Sequence, residues 1–101
     1  RFDESLRSMQ RYVALRPDTS DAFDSFGEVQ LAAGRTDDAI ITLKKGLAIE
    51  PNLGSSLFLL GQAYEKKGMK AEAKEAYQKA ILNDRSEQRK KLAVERLKAL
   101  E

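Results

Sequence analysis

Residues 56–64 read Ser56-Leu57-Phe58-Leu59-Leu60-Gly61-Gln62-Ala63-Tyr64, and 34 positions earlier stands Ala22-Phe23-Asp24-Ser25-Phe26-Gly27-Glu28-Val29-Gln30. Gly27 falls on Gly61, Phe23 on Leu57 and Phe26 on Leu60, so small meets small and large apolar meets large apolar. The same offset carries Gly34 onto Gly68, Ala39 onto Ala73, Leu43 onto Tyr77, Lys45 onto Lys79, Gly46 onto Ala80 and Leu47 onto Ile81. Run backwards, it lays Leu6 on Ile40, Met9 on Leu43, Ala14 on Ala48 and Pro17 on Pro51. A fixed period between about 20 and 50 residues marks a stacked array, in which each unit buries its apolar faces against its neighbours.

Each period contains two helical patterns. Ala22, Phe23, Phe26, Gly27 and Val29 recur at spacings of three and four, as do Ala39, Ile40, Leu43, Leu47 and Ala48. Between them Gly34 supplies a residue able to take the left-handed conformation that closes a helix, Thr36 offers a cap, and Asp37 and Asp38 put negative charge on the next helix's positive end. The second period repeats the arrangement with Lys66 and Lys67 in the last turn, Gly68 as the stop and Glu72 in the following first turn. Pro17 and Pro51 fall just beyond helix ends, with Asp18 and Asn52 placed to cap the next helix in each case. The spacing therefore predicts helices over 2–15, 19–33, 37–49, 53–67, 71–83 and 87–100, and no strands. The fold class is all-α, a solenoid of antiparallel helix pairs. Its divisions are a second-type helix in 1–19, units at 20–53 and 54–87, and a capping helix in 88–101.

At these positions the sequence resembles the tetratricopeptide repeat family, whose sparse pattern of large apolar, Gly, Tyr, Ala, aromatic and Ala residues is met by Leu57, Leu60, Gly61, Tyr64, Ala73, Tyr77 and Ala80. The preceding unit supplies Phe23, Phe26, Gly27, Ala39, Leu43, Gly46 and Pro51, and departs with Gln30 where Tyr is usual. The resemblance implies a concave groove, lined by the first helix of each unit, that holds a peptide segment of a partner protein. Carried across by register, that groove comprises Asp24, Glu28, Leu31, Phe58, Leu59, Gln62, Glu65, Arg89 and Arg96, with Phe58 and Leu31 as its apolar anchors. Some members grip a chaperone's C-terminal carboxylate with Lys, Asn and Arg side chains. The corresponding positions here are Asp24, Glu28, Leu59, Arg89 and Ala93, of which Arg89 alone has a suitable charge, so the resemblance implies a partner that is neutral or basic near the first unit.

Composition sets the remaining bounds. Of 101 residues, 42% are hydrophobic and 34% charged, with six Gly and two Pro, which describes an ordered chain rather than a disordered one. His and Cys are absent, so nucleophile pairs built on them, zinc sites and disulfides are excluded. Asp37-Asp38 and Asp3-Glu4 are carboxylate pairs, but each opens a helix, where the dipole accounts for it. No catalytic residue, cofactor or metal is expected. The longest wholly apolar run, Leu57 to Leu60, is far short of the roughly 20 residues that span a bilayer.

Residues 51–101 carry 11 basic and 7 acidic side chains against 7 and 9 in residues 1–50. The basic excess gathers at Arg85, Arg89, Lys90, Lys91, Arg96 and Lys98, but Glu87 and Glu95 interrupt it and no aromatic residue stands among them to stack on a base. Neither a nucleic-acid nor a membrane partner is expected. Opening on Arg1 with no apolar signal stretch, the chain is expected to be a piece of a longer protein. Helix 2–15 lacks a partner helix, which leaves one side of Phe2, Leu6, Met9 and Val13 to be covered by something else. The alternative function is accordingly a self-association module, dimeric through helix 2–15 or helix-swapped, appended to an enzyme domain outside this chain.

Overall fold

The computed structural model describes residues 2–15 and 19–101, with the side chains of Phe2 and Asp3 left out, so the expectations on Phe2, Pro17 and Asp18 lie outside the described residues. Six helices and no strands occur among the described residues: α1 (Phe2–Leu15), α2 (Ser20–Ala32), α3 (Thr36–Ile49), α4 (Gly54–Lys66), α5 (Lys70–Asn83) and α6 (Glu87–Ala99). Each boundary lies within one residue of its sequence expectation. Short connections make successive helices antiparallel neighbours, and α2 pairs with α3 as α4 pairs with α5. Helix α4 also touches α2 on one side and α6 on the other, whereas among the described residues the backbones of α1, α3 and α5 stay apart, so the first helices form a close inner layer and the second helices a splayed outer one.

The helix ends repeat with the sequence. Gly34 has φ +82° and Gly68 φ +75°, and around each the chain closes in the same way. The Arg35 amide donates to the Gln30 carbonyl (2.9 Å) and that of Gly34 to Leu31 (3.1 Å); 34 residues on, Met69 donates to Tyr64 (2.9 Å) and Gly68 to Glu65 (3.0 Å). This pair of bonds satisfies carbonyls that a helix end otherwise leaves open.

The starts differ from expectation. Thr36 is the first residue of α3 rather than its cap, which is Arg35, and Asn52 stands one residue before the cap of α4, Leu53; at neither start does the cap residue's side chain bond the helix end. The compact turns that follow the glycine stops begin each helix one residue early, and Asp37 and Asp38 act on the α3 end through charge alone. Side-chain capping is found at α6, where the Ser86 hydroxyl accepts from the Arg89 amide (3.3 Å).

Small residues set the helix separations. A Cβ at Gly27 would lie 2.6 Å from Leu43 Cδ2, and one at Gly61 would lie 2.7 Å from Tyr77 Cε1, so both pairs, α2 with α3 and α4 with α5, close on a missing side chain. The main core surrounds the second contact: Leu57, Phe58, Leu60, Tyr64, Ala73, Ala76, Tyr77 and Ala80, lidded by Ala93 and Leu100 from the last helix and its end. Leu31, Ala39 and Ala63 join the first unit to the second. On α1, Leu6 is covered, contrary to expectation, because α2 packs over it; Met9 and Val13 are half-buried, and the exposed apolar side chains are Leu15 and Tyr12 near the helix end.

Candidate functional site: an inner groove along α2, α4 and α6

The nine residues assigned to the groove by register all line one of two adjoining cavities on the inner layer. The larger, about 520 Å³, is walled by Glu28, Leu31, Ala32, Leu59, Gln62, Glu65, Lys66, Tyr77 and Arg96. The smaller, about 290 Å³, is walled by Asp24, Glu28, Ser55, Phe58, Leu59, Gln62 and Arg89. Glu28, Leu59 and Gln62 belong to both, which makes the two cavities one trough.

Within that trough the two expected anchors sit deep. Phe58 is only 7% exposed and packs its ring against Tyr77, centroids 5.9 Å apart and planes tilted by 59°. Leu31 is 6% exposed, held between Ala39 and Ala63. Both are floor rather than projecting contacts: Phe58 lies in the main core with Ala93 and Leu100, and Leu31 packs with Ala39 and Ala63. The apolar surface that a partner meets is that of Leu59, Ala32 and the rim of Leu31, with Tyr77 buried beneath.

Electrostatically the trough is more finished than its sequence suggests. Arg89 sends Nε and Nη2 to the two oxygens of Asp84 (2.7 and 2.9 Å), and the Ser86 amide donates to the same carboxylate (2.9 Å). Asp84 is buried, and the guanidinium hydrogen bonds hold its pKa below the usual carboxylate value in spite of burial; the same pairing raises that of Arg89. Arg96 is likewise bonded to both oxygens of Glu65, through Nε (3.1 Å) and Nη2. The Tyr77 hydroxyl donates to Glu65 Oε1 (2.8 Å) from a residue with no exposed surface, and burial pushes its pKa up to about 12. On α2, Asp24 accepts from the hydroxyls of Ser56 (2.5 Å) and Ser55 (3.2 Å), tying the first unit to the second.

Sequence reasoning missed Ala32, Lys66 and Tyr77 as lining residues, and Asp84 as the partner of Arg89. Tyr77 reaches the trough past the Gly61 gap, a consequence of a missing side chain on another helix that no local pattern announces. Asp84 was detectable in principle, since it stands one period after Glu50, whose carboxylate accepts from the Ser20 hydroxyl (2.7 Å) at the start of its own unit. Three of the six basic residues around α6 are paired: Arg89 with Asp84, Arg96 with Glu65, and Lys90 with Glu87 (3.4 Å). Among the described residues no group of side chains is suited to hold a metal ion, and no helix is long and apolar enough to cross a membrane.

Residues 54–87 match the model of the tetratricopeptide repeat family. Among solved structures, the chain is similar to PcrH in complex with the chaperone binding region of PopD, with a TM-score of 0.91 and 16% identity over 98% of this chain and 77% of that one. It is similar also to the Yersinia enterocolitica type III secretion translocator chaperone SycD in an alternative dimer, with a TM-score of 0.88 and 21% identity over 98% of this chain and 78% of SycD. Against MamA the TM-score is 0.77 at 25% identity over 82% of this chain, which spans about half (48%) of MamA. No curated protein matches the sequence. Residues 54–87 are therefore a tetratricopeptide repeat, set in an all-α array of the same helix-pair architecture.

Proposed function

We propose that this chain is a non-enzymatic scaffold whose inner groove holds a peptide segment of a partner protein. The observation that carries the reading is the trough itself: continuous across two units and α6, apolar along Leu59, Ala32 and Leu31, and bordered by Glu28, Gln62 and Glu65. PcrH is seen with the chaperone binding region of PopD, and SycD with a peptide of the translocator YopD, which supports the same use of a similar fold. In this reading the units run 20–53 and 54–87, flanked by a second-type helix in 1–19 and a capping helix in 88–101.

The test is capture of partners on immobilised protein, comparing wild type with Glu28→Lys, Gln62→Arg and the outer-layer variant Lys79→Glu. Loss of a bound protein with the first two and retention with the third supports the groove; equal recovery by all four places binding elsewhere. Phe58→Ala is unsuitable, because opening a cavity beneath Tyr77 costs about 3 kcal/mol or more of stability.

Self-association through α1 is a second reading, favoured by Leu15, which is 76% exposed beside a 37% exposed Tyr12. Light scattering over a concentration series decides it: a mass that doubles for wild type but not for Leu15→Arg supports the dimer, and a monomer throughout removes it.

A further inference from the structure

Resting on the groove reading, we propose the chemistry of the segment that fills it: an extended chain presenting a basic side chain and a large apolar side chain two residues apart. Charge selects the first of these. Both arginines on the α6 wall are engaged by carboxylates, Arg89 by Asp84 and Arg96 by Glu65. Among the described residues, Asp24 is bonded by the neutral hydroxyls of Ser55 and Ser56, and Glu28 is exposed and makes no ion pair. The smaller cavity is therefore lined by two carboxylates, Asp24 and Glu28, and by one guanidinium, that of Arg89, whose charge Asp84 already meets from behind. That end of the trough is negative and favours a Lys or Arg from the partner. Lys66, exposed at the opposite end of the larger cavity, disfavours a second cation there and confines the basic residue to the Asp24–Glu28 end.

Geometry supplies the second residue. Ala32 follows Glu28 by one helical turn, about 6 Å along α2. Same-face residues of an extended chain are about 6.7 Å apart, so a side chain two positions from the cation reaches the space between Ala32, Leu31, Leu59 and Tyr77. The larger cavity accommodates a Leu, Met or Phe side chain with room to spare. The smaller, at about 290 Å³, admits a side chain but not a helix about 10 Å across, which selects the extended form.

The experiment is selection of random heptapeptides by phage display on the full chain, followed by fluorescence polarisation with the enriched peptides. Glu28 and Gln62 are surface positions, and circular dichroism on their variants verifies that the fold is retained. The expected result is enrichment of Lys or Arg two positions from Leu, Met, Ile or Phe, with affinity weakened about threefold by Glu28→Gln, about tenfold by Glu28→Lys and abolished by Gln62→Arg. Peptides blocked by Gln62→Arg but lacking that pair, carrying it at a spacing of four, or indifferent to Glu28→Lys would overturn the proposed chemistry and leave the groove reading standing. Failure to obtain any peptide sensitive to Gln62→Arg would overturn both.

Discussion

Gly61→Ala adds one methyl group at the tightest helix contact of the second unit. The new Cβ would stand 2.7, 2.8 and 3.1 Å from Cε1, Cδ1 and Cγ of Tyr77, against a comfortable carbon–carbon separation of about 3.5–4.0 Å. Tyr77 has little freedom to retreat: it is fully buried, its ring lies against Phe58, and its hydroxyl is bonded to Glu65. Withdrawing α5 as a whole would loosen Ala73, Ala76 and Ala80, which are buried in the same face. Overpacking of this kind costs about 1–3 kcal/mol, and replacing a mid-helix Gly by Ala returns about 1 kcal/mol. Because Tyr77 has no room to retreat, the upper half of that range applies, about 2–3 kcal/mol, so the net expectation is a loss of about 1–2 kcal/mol, which for a domain of this size lowers Tm by roughly 5–15 °C. Urea titration followed by circular dichroism gives the free energy, and a double-mutant cycle with Tyr77→Leu identifies its source. In the Tyr77→Leu background the Gly61→Ala penalty should largely disappear. A Gly61→Ala protein as stable as wild type, or a cycle with no coupling, would refute the packing argument.

Gly68→Ala meets no atom within 4 Å but must hold φ near +75°, so it should cost about 1 kcal/mol with no coupling to Tyr77 in the same cycle. The raised Tyr77 pKa means that the folded state holds the phenolic proton more tightly than the unfolded state does; this stabilisation is complete below pH 10 and is lost as pH rises toward about 12. Denaturation midpoints measured across that window should fall for wild type and fall less for Tyr77→Phe. Asp84 behaves in the opposite sense, its lowered pKa giving stability above the ordinary carboxylate value that is lost as pH drops below it. Arg89→Ala strands that buried carboxylate, so a loss of about 2 kcal/mol near neutrality and a flatter acid limb are expected in urea titrations at several pH values. Lys67→Ala breaks only the exposed pair with Asp37 and should change stability by less than about 0.5 kcal/mol in the same assay.

The helices were legible in the sequence because their signals are local and repeated. Gly34 and Gly68 stop the chain in the same way, and Gly27 and Gly61 mark close approaches that the structure shows as gaps filled by Leu43 and Tyr77. Nine of the side chains that line the trough were also legible, since register carries α2 onto α4 and α6, whereas Ala32, Lys66 and Tyr77 were not. What register could not convey is depth: Phe58 and Asp24 occupy equivalent positions, yet the first is buried and the second half-buried. Nor could it convey pairing. The engagement of Arg89 by Asp84 and of Arg96 by Glu65 depends on where the α5–α6 turn and α4 bring carboxylates, and it turns an apparently mixed groove into one with a negative end. The caps expected at Thr36 and Asn52 failed for a narrower reason, a helix start one residue earlier or later than the side chain needed.

Tyr77 belongs to two structures at once. Its ring sets the spacing between α4 and α5, while its hydroxyl and edge form part of the trough beside Glu65 and Arg96. The shape offered to a partner is therefore not an adjustable surface laid over an indifferent support. A change in helix spacing at Gly61 would shift the Glu65–Arg96 wall, and a partner that drew Glu65 away would leave a buried phenol without its acceptor. Altered recognition at this end of the groove thus entails altered stability, so redesigning it means reworking the second unit's packing together with its surface.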